Sequence, residues 1–169
     1  MALTVETGTG SASAESYISV ADASTYHSNR GNSAWAALTT DAVREQCLRK
    51  ATDYMVASFR DRWQGERVSE DQALDWPRNA VVVEGYLLDN DSVPETIKRA
   101  CAELALKAAT DDLQPDLTQG VLSESVGAIS VTYDKASPQG TRFSFVNIML
   151  APFFKAGASG RATMGLVRA

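Results

Sequence analysis

With one histidine and two cysteines in 169 residues, the chain offers little raw material for metal or nucleophile chemistry. Cys47 and Cys101 fall in separate apolar helical patterns and form no CxxC pair, which argues against a zinc site and predicts two buried thiols. His27 has no serine or cysteine nucleophile motif beside it, so it reads as a surface helix residue and not as a general base. The Asp89-Asn90-Asp91 and Asp111-Asp112 clusters lack the spacing and the glycine of a calcium loop, and turn and helix-end chemistry accounts for them. No catalytic residue, metal or cofactor is expected, nor is an enzyme. No apolar run approaches the length of a membrane span. Met1 to Gly10 lacks the basic and apolar regions of a signal peptide, so the expected setting is a cytoplasm.

Positive charge is also in short supply. The 16 basic residues face 21 acidic ones, for a formal charge of -5. Residues 155–169 hold Lys155, Arg161 and Arg168 with no acid, which leaves 13 basic and 21 acidic residues, or -8, over residues 1–154. Affinity for nucleic acid comes mainly from lysine and arginine neutralising phosphates, so this balance argues against a free-standing nucleic-acid binder. It suits a surface past which DNA slides without sticking.

What is present is a helical pattern with one unusual loop. Residues 1–15, rich in Thr, Gly, Ser and Ala, read as a flexible arm. Ser19, with Asp22 three residues on, predicts a capped helix over about Val20 to Ser28, and Ala34 to Leu38 adds a turn. Val43, Cys47, Ala51, Tyr54, Met55, Ser58 and Phe59 recur at helical spacing and predict a long amphipathic helix from about Thr40 to Arg62. Ser92, Pro94 and Glu95 predict a capping box before a second long helix, in which Ile97, Cys101, Leu104 and Ala108 mark one side. Residues 122–133 read as a strand or ribbon, with Ile129, Val131 and Tyr133 alternating. Phe143, Val146, Ile148, Met149, Leu150, Phe153 and Phe154 predict a short apolar helix, followed by a flexible basic tail over 155–169. The expected fold is therefore mainly α: a small helical bundle with two long antiparallel helices, a short N-terminal helix, a β ribbon and a C-terminal helix.

Two of the three tryptophans, Trp63 and Trp76, lie in a stretch otherwise full of charges and loop formers. A solvated loop has little reason to keep them, so both rings are expected to be buried. Pro77 biases Trp76 toward extended backbone and removes a donor, which marks a loop of fixed shape. Packing inside the chain is the favoured reading for both tryptophans, with burial at a subunit boundary as the alternative. Arg67 and Arg78 are expected to pair with Glu66, Glu70, Asp71 or Asp75 and so to lock the loop.

Several of these residues carry a resemblance. Ser16-Tyr17-Ile18-Ser19-Val20-Ala21-Asp22-Ala23, the Trp63-Gln64-Gly65-Glu66-Arg67 loop, Gln72-Ala73-Leu74-Asp75-Trp76-Pro77-Arg78, Val93-Pro94 leading to Glu103-Leu104-Ala105, and Ser123 to Val131 resemble the tailed-phage head-tail connector, or neck adaptor, proteins. Many relatives carry a DnaT-like single-stranded-DNA-binding label. The likeness spans residues 13 to 154 in order, and its most specific element is LxWPR with the GxR upstream.

The resemblance implies a connector domain over 16–154 that forms a homo-oligomeric ring of about twelve copies under the portal of a filled capsid. Such a ring extends the channel for double-stranded DNA and offers a platform to the next neck or tail component. The expected location is the virion neck, after assembly in the bacterial host cytoplasm. On this reading Trp63, Gly65, Arg67, Trp76, Pro77 and Arg78 form a structural loop or subunit boundary. Phe143, Val146, Met149, Leu150, Phe153, Phe154, Lys155, Arg161 and Arg168 are the candidates for docking on the portal protein. The alternative is the DnaT-like label taken literally: a single-strand binder that stacks bases on aromatic rings in a basic groove.

Overall fold

The computed structural model of the chain describes residues 2–115, 123–126, 129–132 and 143–156. Within them the fold is mainly α with three two-stranded ribbons. Helix α3, Asp41–Phe59, forms where the apolar stripe was read, and it buries Cys47, Leu48, Ala51, Thr52, Met55 and Phe59. Helix α4, Glu95–Ala108, packs along it with Ile97, Ala100, Cys101, Leu104 and Ala105 inward. Small alanines let the two backbones approach, and Thr52 Oγ1 lies 3.4 Å from Cys101 Sγ between them. Both cysteines are free and buried, as expected.

Helix α1, Val20–Ser28, starts as its sequence dictates: the Ser19 hydroxyl accepts from the Asp22 amide at 3.0 Å and donates to the Asp22 carboxylate at 2.7 Å. The start of α4 differs from expectation. Its cap is Pro94, whose carbonyl accepts from Ile97 and Lys98, while Ser92 stays exposed two residues upstream. Gly8 explains this, because its α-carbon presses on the Asp91 carbonyl so closely that a Cβ there would collide with it. That contact holds 91–92 in the loop and outside the helix.

Residues 2–15 do not form the loose arm that their composition suggested. Glu6 is buried, and its carboxylate accepts the amides of Gly8 (2.8 Å), Gly10 (3.1 Å) and Ser11 (2.8 Å). Gly8 and Gly10 reach this shape at φ +112° and +69°, a region that glycine enters without steric cost. The segment is tied down by Glu6 N–H to Ser16 O (2.8 Å), Ala73 N–H to Ser11 O (3.0 Å) and an ion pair of Glu15 with Arg49 (3.0 Å). One carboxylate acting as an internal acceptor replaces the apolar residues the segment lacks.

His27 is likewise inside and not on the surface. The short helix α2, Ser33–Ala36, delivers Trp35 onto the imidazole with ring centroids 4.8 Å apart. The Ala102 carbonyl, 3.1 Å from Nε2, can only accept, so Nε2 carries the proton and Nδ1 accepts from the Asn32 amide at 3.0 Å. A neutral ring thus joins α1, α2 and α4.

Burial holds the His27 pKa below its ordinary 6.5, with Arg30 acting the same way and the Ala102 carbonyl and Glu103 opposing. The stability that neutral His27 contributes is whole above the unfolded value and is lost as pH falls toward the lower folded value. Urea midpoints are therefore expected to drop between about pH 7 and about pH 5, and more steeply than in His27→Gln. Equal slopes in the two proteins would refute this coupling. Glu6→Ala is expected to lower stability by about 2 kcal/mol, since three amides lose their acceptor, and to open 2–15 to limited proteolysis.

Candidate interaction surfaces

Past α3 a 3-10 turn, Arg60–Arg62, brings Trp63 into the core. Gly65 turns the chain at φ +62°, pressed so closely on the Asn79 carbonyl that a Cβ would not fit. The strands β1, Glu66–Arg67, and β2, Arg78–Asn79, then pair antiparallel and close the loop. Trp76 meets Trp63 edge-on, with centroids 5.6 Å apart, and the Trp76–Pro77 peptide is cis. Both rings are wholly buried, so the packing reading holds for them.

The loop is locked by arginine, but through different partners from those expected. Arg78 donates Nε to Gln64 O (2.7 Å), Nη2 to Gly65 O (2.7 Å) and Nη1 to Asp75 O (3.1 Å). Arg67 donates to Gln72 O at 2.9 Å. The neighbouring acids Glu66, Glu70 and Asp71 are exposed and solvated, whereas the loop carbonyls turn inward with no water to bond. Buried Asp75 is taken by Arg60 at 3.0 Å, and its amide donates to the Tyr17 hydroxyl at 3.0 Å. Burial pulls Arg78 below the usual guanidinium pKa, against the pull of Asp75, and burial pushes the Tyr17 phenol up.

The C-terminal apolar segment lies against this loop. Helix α5, Ser144–Leu150, runs into a 3-10 turn, Ala151–Phe153. Gln64 N–H donates to Phe153 O (2.9 Å), Lys155 N–H to Arg62 O (2.8 Å), and the Gln64 side-chain amide to Pro152 O (2.8 Å) and Phe154 O (3.2 Å). Phe154 sits 5.0 Å from Trp63 and Phe153 sits 5.6 Å from Trp76, centroid to centroid. This corrects the docking assignment: Val146, Leu150, Phe153 and Phe154 fill the chain's own core, and Phe143 and Met149 are half-buried against it. Lys155 is exposed and donates Nζ to Asp61 O at 3.3 Å. Arg161 and Arg168 lie outside the described residues.

The apolar residues left on the surface are others. On α5 they are Phe145 and Ile148, one turn apart and exposed to 60% and 72%. A second patch stands on a hairpin, where β3, Val82–Val83, pairs with β4, Tyr86–Leu87, across a turn at Glu84 and Gly85. Both turn residues have positive φ, as a two-residue hairpin turn of matching twist demands. Val82, Tyr86 and Leu87 point to solvent there. The expected ribbon is also present: β5, Ser123–Val126, pairs antiparallel with β6, Ile129–Thr132, and with no third strand among the described residues.

Sequence reasoning missed Phe145, Tyr86 and Leu87. A Glu-Gly step flanked by Val82-Val83 and Tyr86-Leu87 is a hairpin signal that could have found the last two. Among the described residues no three His, Cys, Asp or Glu side chains gather as a metal site, and no helix is long and apolar enough to cross a membrane.

The described residues form a mainly helical module that leaves two apolar patches exposed. Residues 1–169 match the sequence model of the family described as "Putative DnaT-like ssDNA binding protein", and the chain belongs to that family. No curated protein and no solved structure matches it.

The two faces of the C-terminal segment are expected to respond differently to substitution. Phe154→Ala should cost about 3–5 kcal/mol in chemical denaturation, because it empties the core beside Trp63. Ile148→Ser should stay within about 0.5 kcal/mol of the native chain. Similar losses in both would mean that Ile148 is covered.

Proposed function

We propose that the chain is a structural subunit of the phage neck: a head-tail connector that forms a ring under the portal protein, extends the double-stranded DNA channel and carries the next neck or tail component. The observation that supports this reading best is the pair of exposed apolar patches, Phe145 with Ile148 and Val82 with Tyr86 and Leu87, on two separate elements of one chain. A subunit with two different contact faces, joined head to tail, closes into a ring when the rotation allows. The acidic balance of the sequence suits a channel wall that does not retain DNA.

A second reading, binding of single-stranded DNA, is the one that the family description supports, and it does so better than it supports the connector. The geometry supports it less. Base stacking needs open aromatic faces; Tyr86 and Phe145 are exposed but stand on separate elements, and Trp35, Trp63 and Trp76 are buried. Seven of the eight described arginines are also bound within the chain.

Two measurements separate the readings. Cryo-electron microscopy of the virion neck is expected to place this chain directly beneath the portal, and its absence from mature particles would refute the connector. Fluorescence anisotropy with a labelled oligonucleotide is expected to show binding weaker than micromolar at physiological salt. Micromolar or tighter affinity that falls steeply with salt would favour the single-strand reading.

A further inference from the structure

Helix α4 ends in two clefts of opposite character. At its start a cleft of about 350 Å³ between α1 and α4 is lined by Arg30, Lys98 and Arg99 against two carboxylates, Asp22 and Glu95. Those two acids are engaged, Asp22 by the Ser19 hydroxyl and Glu95 by Lys98 at 2.8 Å. Arg30 lies over the Tyr26 ring, 3.6 Å from its centroid. Arg99 is the one arginine of the described residues with no hydrogen bond, ion pair or ring contact, and it is exposed.

At the other end a cleft of about 580 Å³ between α3 and the end of α4 is lined by Asp53, Asp111 and Asp112 against Lys50 alone. Burial first, and then Glu15, holds the Asp53 carboxyl above its usual pKa, a sign of a carboxylate short of cations. The clefts stand about 20 Å apart along the helix.

These charges run against the helix they flank. A helix N-terminus carries partial positive charge and its C-terminus partial negative, so stabilising side chains are acids at the start and bases at the end. Glu95 and Lys107 follow that order. Lys98 and Arg99 lie past the first turn and Asp111 and Asp112 past the last, where the Thr110 hydroxyl donates to Asp111 at 3.0 Å and the Gln114 amide to Asp112 at 3.1 Å, so the reversed charges cost the helix little. Their opposite signs make one end of α4 complementary to the other end on a second copy.

We propose that the basic cleft at the start of α4 receives the acidic cleft at the end of α4 from a second copy of this chain, so that Arg99 and Lys98 of one copy face Asp111 and Asp112 of the next. Because the two clefts lie at different places on the chain, a head-to-tail contact between them can repeat into a ring or a filament. The inference rests on the ring reading above and names a contact for it.

Sedimentation of the full chain at low and high salt tests it, with circular dichroism to check the fold of each variant. The native chain is expected to associate at low salt and to dissociate as salt screens the pairs. Lys98→Glu with Arg99→Glu should weaken association about tenfold or more, and Asp111→Lys with Asp112→Lys should do the same. Mixing the two double variants should restore assembly, since one then presents only acidic clefts and the other only basic ones.

Native association that neither pair of substitutions weakens would overturn the inference while leaving the ring reading to stand on the apolar patches. Weakening in both variants without recovery on mixing would also overturn it. A native chain that stays monomeric at every salt and concentration would remove this contact and the ring reading of the isolated protein together. If Lys98→Glu with Arg99→Glu instead abolishes oligonucleotide binding and leaves association unchanged, the cleft serves phosphate and the inference fails.

Discussion

One guanidinium fixes the shape on which the other surfaces depend. Arg78 bonds three carbonyls that belong to both arms of the loop between residues 63 and 79, that of Asp75 buried and those of Gln64 and Gly65 partly so. A planar group with five donors in a rigid fork can do this, whereas a lysine ammonium on a flexible stem cannot match the geometry. With the loop held, Trp76 stands against Trp63, and the two rings become the floor on which Phe153 and Phe154 rest. That seating turns α5 so that Val146 and Leu150 face inward and Phe145 and Ile148 outward. The indole N–H of each tryptophan has no partner, so these residues are placed for ring contact and not for polar bonding.

Acidity and aromatic burial pull the functional interpretation in the same direction. All three tryptophans are spent on the core, with Tyr86 and Phe145 the aromatic rings left open among the described residues, and most described arginines are spent on groups of the same chain. The family description points to single-stranded DNA, while the exposed chemistry, apolar at two patches and oppositely charged at the two ends of α4, is what the connector proposal rests on.

The helices were legible because periodicity is a local property. The Ser19 cap, the α3 stripe and the alanine face of α4 all follow from residues within a few turns of one another. The tryptophan loop was legible as buried and fixed, since two large rings in a charged stretch admit little else. What could not be read were long-range partners. Nothing near Glu6 in sequence says that its carboxylate will be enclosed by its own backbone, and a Thr, Gly, Ser and Ala composition signals looseness when the glycines in fact serve the enclosure. His27 has only the small Ala23 one turn away at helical spacing to announce burial, because its partners Asn32, Trp35 and Ala102 come from two other places, α2 with its cap and α4. The apolar run 143–154 was legible as a helix, but sequence alone does not tell whether the surface it packs on belongs to the same chain. It does, through Gln64 and the two tryptophans some ninety residues earlier.

That separation carries a consequence for how the protein is made. The aromatic cluster draws on Phe59, Trp63 and Trp76 and, far later in the sequence, on Phe153 and Phe154, so a nascent polypeptide emerges with both indoles uncovered and keeps them so until residues 153 and 154 have been made. Contacts that span so much sequence close slowly and leave greasy surface open in the meantime. Core completion is in effect a checkpoint on chain length: a product truncated before residue 153 lacks the lid for its own tryptophans and exposes them to chaperones and proteases.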